Sequence, residues 1–451
     1  MLTPPGPASI PTRWGTGKHV DIKNVFVLGL DELNAETLNA LPHAEEYRFH
    51  QLLTPDELRT QDIQLRHLLA AAERQLYRFE GTIDAIIGYW DFPVSSLVPI
   101  LCQRFGTIGP GLEAVVKCEH KYWSRLEQRQ VIDECPGFGL VDPQKATTPP
   151  PHLEYPLWVK PVKSAGSTLA YHVHDQHEFQ RAMRLLRDGV GWLGEPFQYI
   201  LDHLHAPAGI AASGQGCLVE EAVSGTQVTV EGYVQHGAVH VYGVVGSVGY
   251  PGRESFLRFQ YPAALPANVT ERLTQVTTRV IGHIGLDHST FNIEFFWNEE
   301  NDTLTLLEIN PRHSQSHARL FQMVDGVPNH HAMVSLALGR DPALPRGNGR
   351  YRIATKWFLR RFSDARVRRA PTAEEVARVE ADVPGTMIHP VAQQDQLLSA
   401  LPRQDSYSYQ LADLYIGAET EDELIDKYER CVAALPYELE DTADTDVENV
   451  H

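Results

Sequence analysis

The chain has 451 residues, enough for about two to four domains, and 43% of them are hydrophobic, as in a globular protein. It carries 39 Lys and Arg against 58 Asp and Glu, a net charge of −19, which argues against nucleic acid and anionic membrane surfaces as partners. No run of about 18 apolar residues spans a membrane, and five scattered cysteines without a C-x-x-C read as free thiols of a reducing cytoplasm.

Residues 1–18 are rich in Pro and Gly and lack an apolar signal core, so a disordered lead is expected there. The apolar runs NVFVLGL (24–30) and TIDAIIG (82–88) each precede a helical segment, DELNAETLNALP and LVPILCQRFG. That alternation predicts an α/β domain with a parallel sheet over 19–115. One helix is expected over EAVVKCEHKYWSRLEQR, with Lys117 and Lys121 four apart on one face. PGFGLVDPQKATTPPPHLEYP then reads as loop. From 157 strands dominate (LWVKPV, STLAYHV, CLVEEAV, QVTVEGYV, AVHVYGVVGSV), with helices at HEFQRAMRLLRDG and VTERLTQVTTRVIGHIG. This α+β pattern covers 116–345. Strands RIATKWFLRRF, GTMIHPV and YQLADLYIGA and the amphipathic helix TEDELIDKYERCVAAL predict a small closing α+β domain at 346–440, before an acidic tail at 441–451.

The stretch NIEFFWNEENDTLTLLEINPR (292–312) reads as a hairpin. With its turn near Glu300, Glu294 faces Glu308, and Asn292 and Asn310 share their face; Phe291, Ile293, Phe295, Leu307 and Ile309 point the other way. Two facing carboxylates repel by roughly 1–4 kcal/mol. A shared proton relieves this, and so does a divalent cation; oxygen ligands from Glu294, Glu308 and Asn310 suit Mg²⁺ or Mn²⁺. Mg²⁺ held by few carboxylates is commonly shared with phosphates, and Arg312 follows at once.

Standard phosphate loops are missing: WGTGKH lacks the first glycine and the Ser/Thr of a P-loop. Instead Lys160 interrupts an apolar strand and needs an anion or a route to solvent. Ser164, Ala165, Gly166 and Ser167 follow as a small-residue turn whose N–H groups can cover phosphates. CLVEEAVSG ends a strand at Glu220 and Glu221 before a turn.

Taken in order, HKYWSRL, WVKPVKSAGS, LVEEAVSG, FNIEFF and LLEINPR resemble the ATP-grasp superfamily, with biotin-carboxylase-like and amino-acid-ligase-like members as the nearer branch, over about 20–440. The resemblance implies a Rossmann-like pre-ATP-grasp domain, a two-lobed ATP-grasp domain and a small closing α+β domain. Lys121 and Lys160 would hold ATP phosphates under the loop Ser164–Ser167. Glu220, with the backbone of Glu221, Ala222 and Val223, would be the adenine hinge. Gln227 stands where many relatives place a ribose-binding glutamate. Glu294, Glu308 and Asn310 would bind Mg²⁺, and Arg312 would steady the phosphoryl group. His313 and His317 would lie beside an acyl-phosphate, where a histidine can take a proton from an attacking ammonium. Arg253 and Arg258 are candidates for clamping a substrate carboxylate. Gly88 to Ser95 would border the acceptor site. The implied activity is ADP-forming ligation of a small-molecule carboxylate to an amine, in the cytoplasm, by a chain that could be a homodimer. A biotin-carboxylase-like enzyme is the alternative; in NPRHSQSHARL, Ser314 and Ser316 replace the glutamine and glutamate of that branch, and Gln315 is displaced by one. A non-catalytic ATP-binding module is a further reading, opposed by the presence of Glu294, Glu308, Asn310 and Arg312.

Overall fold

The computed structural model describes residues 22–59, 62–164, 168–253, 255–401 and 408–442. The expected lead at 1–18, most of the acidic tail, and Ala165, Gly166 and Ser167 lie outside these residues.

The first apolar run becomes strand β1 (Lys23–Leu28) because both of its faces are covered. Val25 and Val27 pack with Leu38, Ala85, Ile87 and Val334. Phe26 and Leu28 pack on the other side with Leu52, Leu69, Leu76 and Leu97. β1 is the middle strand of a three-stranded parallel sheet between β2 (Tyr47–Leu52) and β3 (Ala85–Ile87). β2, the mixed segment YRFHQL, has no clear alternation and was not foreseen.

The expected single helix at 113–129 is two. Helix Leu112–Glu119 stops at His120, whose backbone is extended, and helix Lys121–Gln128 starts with the His120 ring accepting from the Trp123 N–H at 3.1 Å. Lys117 and Lys121 therefore do not share a face. Lys117 pairs with Glu113 at 3.0 Å, whereas Lys121 turns toward the large sheet.

The predicted loop after this helix contains a strand, β4 (Phe138–Val141), paired with β7 (Cys217–Glu221). With β5 (Leu157–Pro161) and β6 (Tyr171–Val173) they form a four-stranded antiparallel sheet in the order β4-β7-β5-β6. Helix Gln176–Gly189 covers one face through Phe179, Met183 and Leu186. Gly225 links this sheet to the next. Its φ is +142°, and a Cβ there would lie 2.4 Å from the Trp297 carbonyl oxygen, so only glycine fits.

The large sheet has eight strands: β8 (Thr226–Gln235), β9 (Ala238–Gly249), β10 (Phe256–Tyr261), β11 (Ser289–Asn298), β12 (Thr303–Asn310), β13 (Ile353–Arg361), β15 (Thr386–Pro390) and β16 (Tyr409–Ala418). Their order is β12-β11-β8-β9-β10-β13-β16-β15, so the expected boundary at 346 falls between strands of one continuous sheet. β14 (Ala365–Arg369) pairs apart with β17 (Glu438–Asp441). Helix Ala267–Ile284 covers the β8–β12 end through Leu273, Val276 and Val280. Helix Glu421–Ala434 covers the far end through Leu424 and Cys431. All five cysteines are free, and no helix among the described residues is long and apolar enough to cross a membrane.

Candidate active site

The hairpin β11–β12 sets the first part of the site. Glu294 faces Glu308 across the ladder, and Asn292 faces Asn310. The register slips between Glu294 and Phe295, so Leu307 is a bulge residue. This corrects the expected core set: Leu306 is fully buried, and Leu307 instead offers its carbonyl to Arg125 Nη2 at 2.7 Å.

Glu308 Oε1 meets Lys121 Nζ at 2.6 Å. Burial works to raise the Glu308 carboxyl, but the Lys121 and Lys160 charges outweigh it and hold it below the usual carboxylate range. Glu294 Oε2 accepts from an amide, Gln227 Nε2, at 2.9 Å. Burial, and then the neighbouring Glu308 charge, push its carboxyl up to about 7. Asn310 donates its Nδ2 to Asn292 Oδ1 at 3.0 Å, leaving Oδ1 to accept or ligate.

A second knot joins the small sheet to the helix at 121–128. Glu220, on β7, is buried between Lys160 Nζ at 2.5 Å and the Arg125 guanidinium at 2.9–3.0 Å. Burial would raise Glu220, yet Arg125 and Lys160 bring it down to about 2. Glu221 is exposed and accepts from the Gly137 N–H at 2.9 Å. Ala222 donates its N–H to the Pro156 carbonyl at 3.2 Å, and Ala222 and Val223 are half-buried in the connection to β8. The Lys121 N–H bonds the Val162 carbonyl at 2.9 Å, and Ser164, two residues on, is buried.

A third knot draws in the first domain. Arg312 gives Nη2 and Nε to Asp91 Oδ1 at 2.5 and 2.7 Å. Burial opposes ionisation of Asp91, but Arg312, Lys163 and Lys121 lower it. Lys163 lies 3.2 Å from Glu119, which also accepts from Ser95 Oγ at 2.5 Å. A cavity of about 50 Å³ opens beside Arg312, lined by Gly88, Ser95, Pro110 and Thr290. Glu119, Arg125 and Lys163 were missed in the sequence, and Asp91 was covered only as part of the stretch Gly88 to Ser95. Arg125 and Lys163 had a usable signal: each lies within four residues of a lysine already singled out, on the same local element or its end.

The two histidines separate. His313 is fully buried, with Nδ1 at 3.1 Å from Thr290 Oγ1 and its ring against His330 at 4.7 Å. Burial, then the His330 and Arg312 charges, hold it well below the ordinary histidine range. His317 instead gives Nδ1 to Glu231 at 2.8 Å. The two candidates for a carboxylate clamp lie apart from these histidines. Phe259 packs edge-on to His317 at 5.0 Å, so its neighbour Arg258 projects from the opposite face of β10, where it pairs with Glu421 and lies over the Trp357 ring. Arg253 lies over the Phe362 ring at 4.8 Å on an exposed turn.

Among the described residues no group of three or more His, Cys, Asp or Glu gathers to hold a metal. Two carboxylates and an amide oxygen remain, a donor set that suits a hard cation completing its shell with phosphate oxygens. The raised Glu294 carboxyl beside the lowered Glu308 marks where positive charge would be accommodated.

Residues 153–318 match the family model described as the ATP-grasp domain. The uncharacterized protein y4rH of Sinorhizobium fredii is 28% identical over 265 residues, 54% of this chain and 50% of that protein. The chain thus spans about half the length of the curated relative it matches. Among solved structures, L-amino acid ligase from Bacillus licheniformis aligns at a TM-score of 0.67 with 13% identity, over 92% of this chain and 98% of that one. Phosphoribosylglycinamide synthetase from Anaerococcus prevotii aligns at 0.64 with 14% identity, over 93% and 100%. Biotin carboxylase from Campylobacter jejuni aligns at 0.60 with 15% identity, over 94% and 93%. At these identities the structures speak for the fold.

Proposed function

The chain carries an ATP-grasp domain, and on that premise we propose that it is an ADP-forming carboxylate–amine ligase acting on a small molecule through an acyl-phosphate. The observation that carries this reading is the Glu294–Glu308 pair, uncompensated on one side and held by Lys121 on the other. Lys121, Lys160 and Lys163 are three buried ammonium groups in one region, each now facing a carboxylate. A polyphosphate would take over those contacts. Glu294, Glu308 and Asn310 would hold Mg²⁺ or Mn²⁺. That cation, when bound, would neutralise the carboxylate pair and the charge on the phosphates.

A substrate carboxylate oxygen then attacks the terminal phosphorus, a new P–O bond forms, and the bond to ADP breaks. Arg312, oriented by Asp91 through two of its nitrogens, stabilises the charge that develops. The amine nitrogen next attacks the acyl carbon. The C–N bond forms as the C–O bond to phosphate breaks, and the amine loses a proton to a base. His317 is the proposed base, because His313 Nε2 is a fully buried atom and its Nδ1 is taken up by Thr290.

The test is ADP release from Mg²⁺ATP with pools of amino acids and other carboxylic acids, with hydroxylamine as a trap. Hydroxamate from one acid supports the ligase. Release only with bicarbonate and biotin would make the protein a carboxylase. Glu308→Gln is expected to keep the fold by circular dichroism and lose on the order of 10³-fold in ADP release; near-normal turnover in the folded variant would sink the metal-pair account.

A further inference from the structure

Glu231, in the middle of β8, is fully buried, and nothing in the ligase chemistry above uses it. It is nevertheless densely bonded. Oε1 accepts from the Ser314 N–H at 3.0 Å and from His317 Nδ1 at 2.8 Å, and Oε2 accepts from the Tyr242 hydroxyl at 3.0 Å. Burial and the Glu231 charge raise Tyr242 well above the ordinary phenol range, so it stays a donor. An ionised carboxylate only accepts, so His317 must carry its proton on Nδ1. That leaves Nε2 with the basic lone pair. Among the described residues Nε2 has no hydrogen-bond partner, and the residue as a whole is 3% exposed.

The pair belongs to the site. Glu231 lies opposite Asn292 in the β8–β11 ladder, and Asn292 donates to the Arg312 carbonyl at 3.0 Å. After Asp91, the Glu231 charge helps keep Arg312 protonated. Three donors fix the carboxylate, and the carboxylate fixes the tautomer and direction of the imidazole, as in hydrolase carboxylate–histidine pairs.

We propose that Glu231 is the positioning residue for His317, and that the Glu231–His317 dyad makes this protein select acceptors that arrive as ammonium ions. The inference rests on the ligase reading. His317 Nε2 takes one proton from the ammonium; the nitrogen lone pair then forms the C–N bond while phosphate leaves with the C–O electrons and carries off the second nitrogen proton as hydrogen phosphate. Glu231 offsets the positive charge on the imidazolium. Among the described residues, the charged or titratable groups around the dyad are His313 and Arg312 on the same segment as His317, Tyr242 on β9 against Glu231, and, 3.5 Å from the neighbouring Ser316 Oγ, Lys356 on β13 with its β16 partners Asp413 and Tyr415. Arg312 and Lys356 are cations, so the Glu231 charge is needed against them.

The experiment uses the full chain with Mg²⁺ATP and an equimolar mixture of the proteinogenic amino acids, with and without hydroxylamine, comparing wild type with E231Q, H317Q and Y242F. Hydroxylamine is largely unprotonated at neutral pH and needs no base to become a nucleophile. The expected result is a fall of about 10²-fold in the ratio of amide to hydroxamate for E231Q and H317Q, a smaller fall for Y242F, and recovery of the ratio as pH rises and the amine ionises less. If E231Q and H317Q lower both products together, the dyad only supports the turn and the proposal is overturned. An unchanged ratio with both products intact overturns it as well. No product of either kind from wild type removes the ligase reading, and this proposal with it.

Discussion

A carboxylate that keeps its proton to about pH 7 leaves a mark on stability. Glu294 is raised from 4.5 to about 7, first by burial and then by Glu308. Between those values the folded chain holds a proton that the unfolded chain has released, so folding is favoured at the acid end and loses that advantage as pH rises. The contribution is full below about 4.5 and gone above about 7. Glu294→Gln removes the titration. In metal-free buffer its melting temperature relative to wild type should rise across that window and level off above it; a difference that stays flat with pH would show that Glu294 is already ionised. Added divalent cation should stabilise wild type more than this variant, because Glu294→Gln lacks one proposed ligand.

The elements show which features of the chain could be read in advance. The hairpin β11–β12 was legible because a strand alternates with period two, and its glutamates interrupt an apolar pattern at matching distances from a polar turn. The bulge at Leu307 was not. It answers to contacts from outside the hairpin, the Leu306 N–H to the Glu134 carbonyl and Arg125 to the Leu307 carbonyl. β4 was hidden because Gly and Pro surround its four residues, and β7 rather than its own side chains holds it in place. Similarly, Lys160 and Lys121 stood out locally, whereas the partner of Arg312 is 221 residues away and emerges only from tertiary packing. Gly225 is the element-level feature most open to test. Gly225→Ala would drive a methyl into the Trp297 carbonyl and should cost at least about 2 kcal/mol, seen as a lower denaturation midpoint. A variant as stable as wild type would mean that the β7–β8 connection can relax.

At the scale of the molecule, the closing segment extends a sheet rather than adding a lobe beside it. β10 pairs with β13, and Phe321 and Leu320 pack with Ala354 and Tyr415 in one cluster. A chain ended at 345 would bare the β10 edge and strip Ala354 and Tyr415 from that cluster, an open edge of the kind that recruits other chains. It should be insoluble or melt without cooperativity. A soluble fragment with a sharp transition would show that the break at 346 is a true domain boundary. Besides the apolar packing of Val25 and Val27 on Val334, two charged contacts lie where the first domain meets the rest of the chain: Asp91 with Arg312, and Glu119, bonded to Ser95, with Lys163. Those contacts are where an approaching anion would compete with the protein's own carboxylates.

Lys121 and Glu308 are engaged with each other at 2.6 Å. While they are, neither is free to serve a phosphate or a cation. Drawing Glu308 away releases the lysine, and drawing Lys121 away bares the carboxylate, so nucleotide and divalent ion should be heterotropic activators of each other's binding. By thermodynamic reciprocity, the factor by which the ion tightens ADP must equal the factor by which ADP tightens the ion, and calorimetric titrations run in both orders should close the cycle.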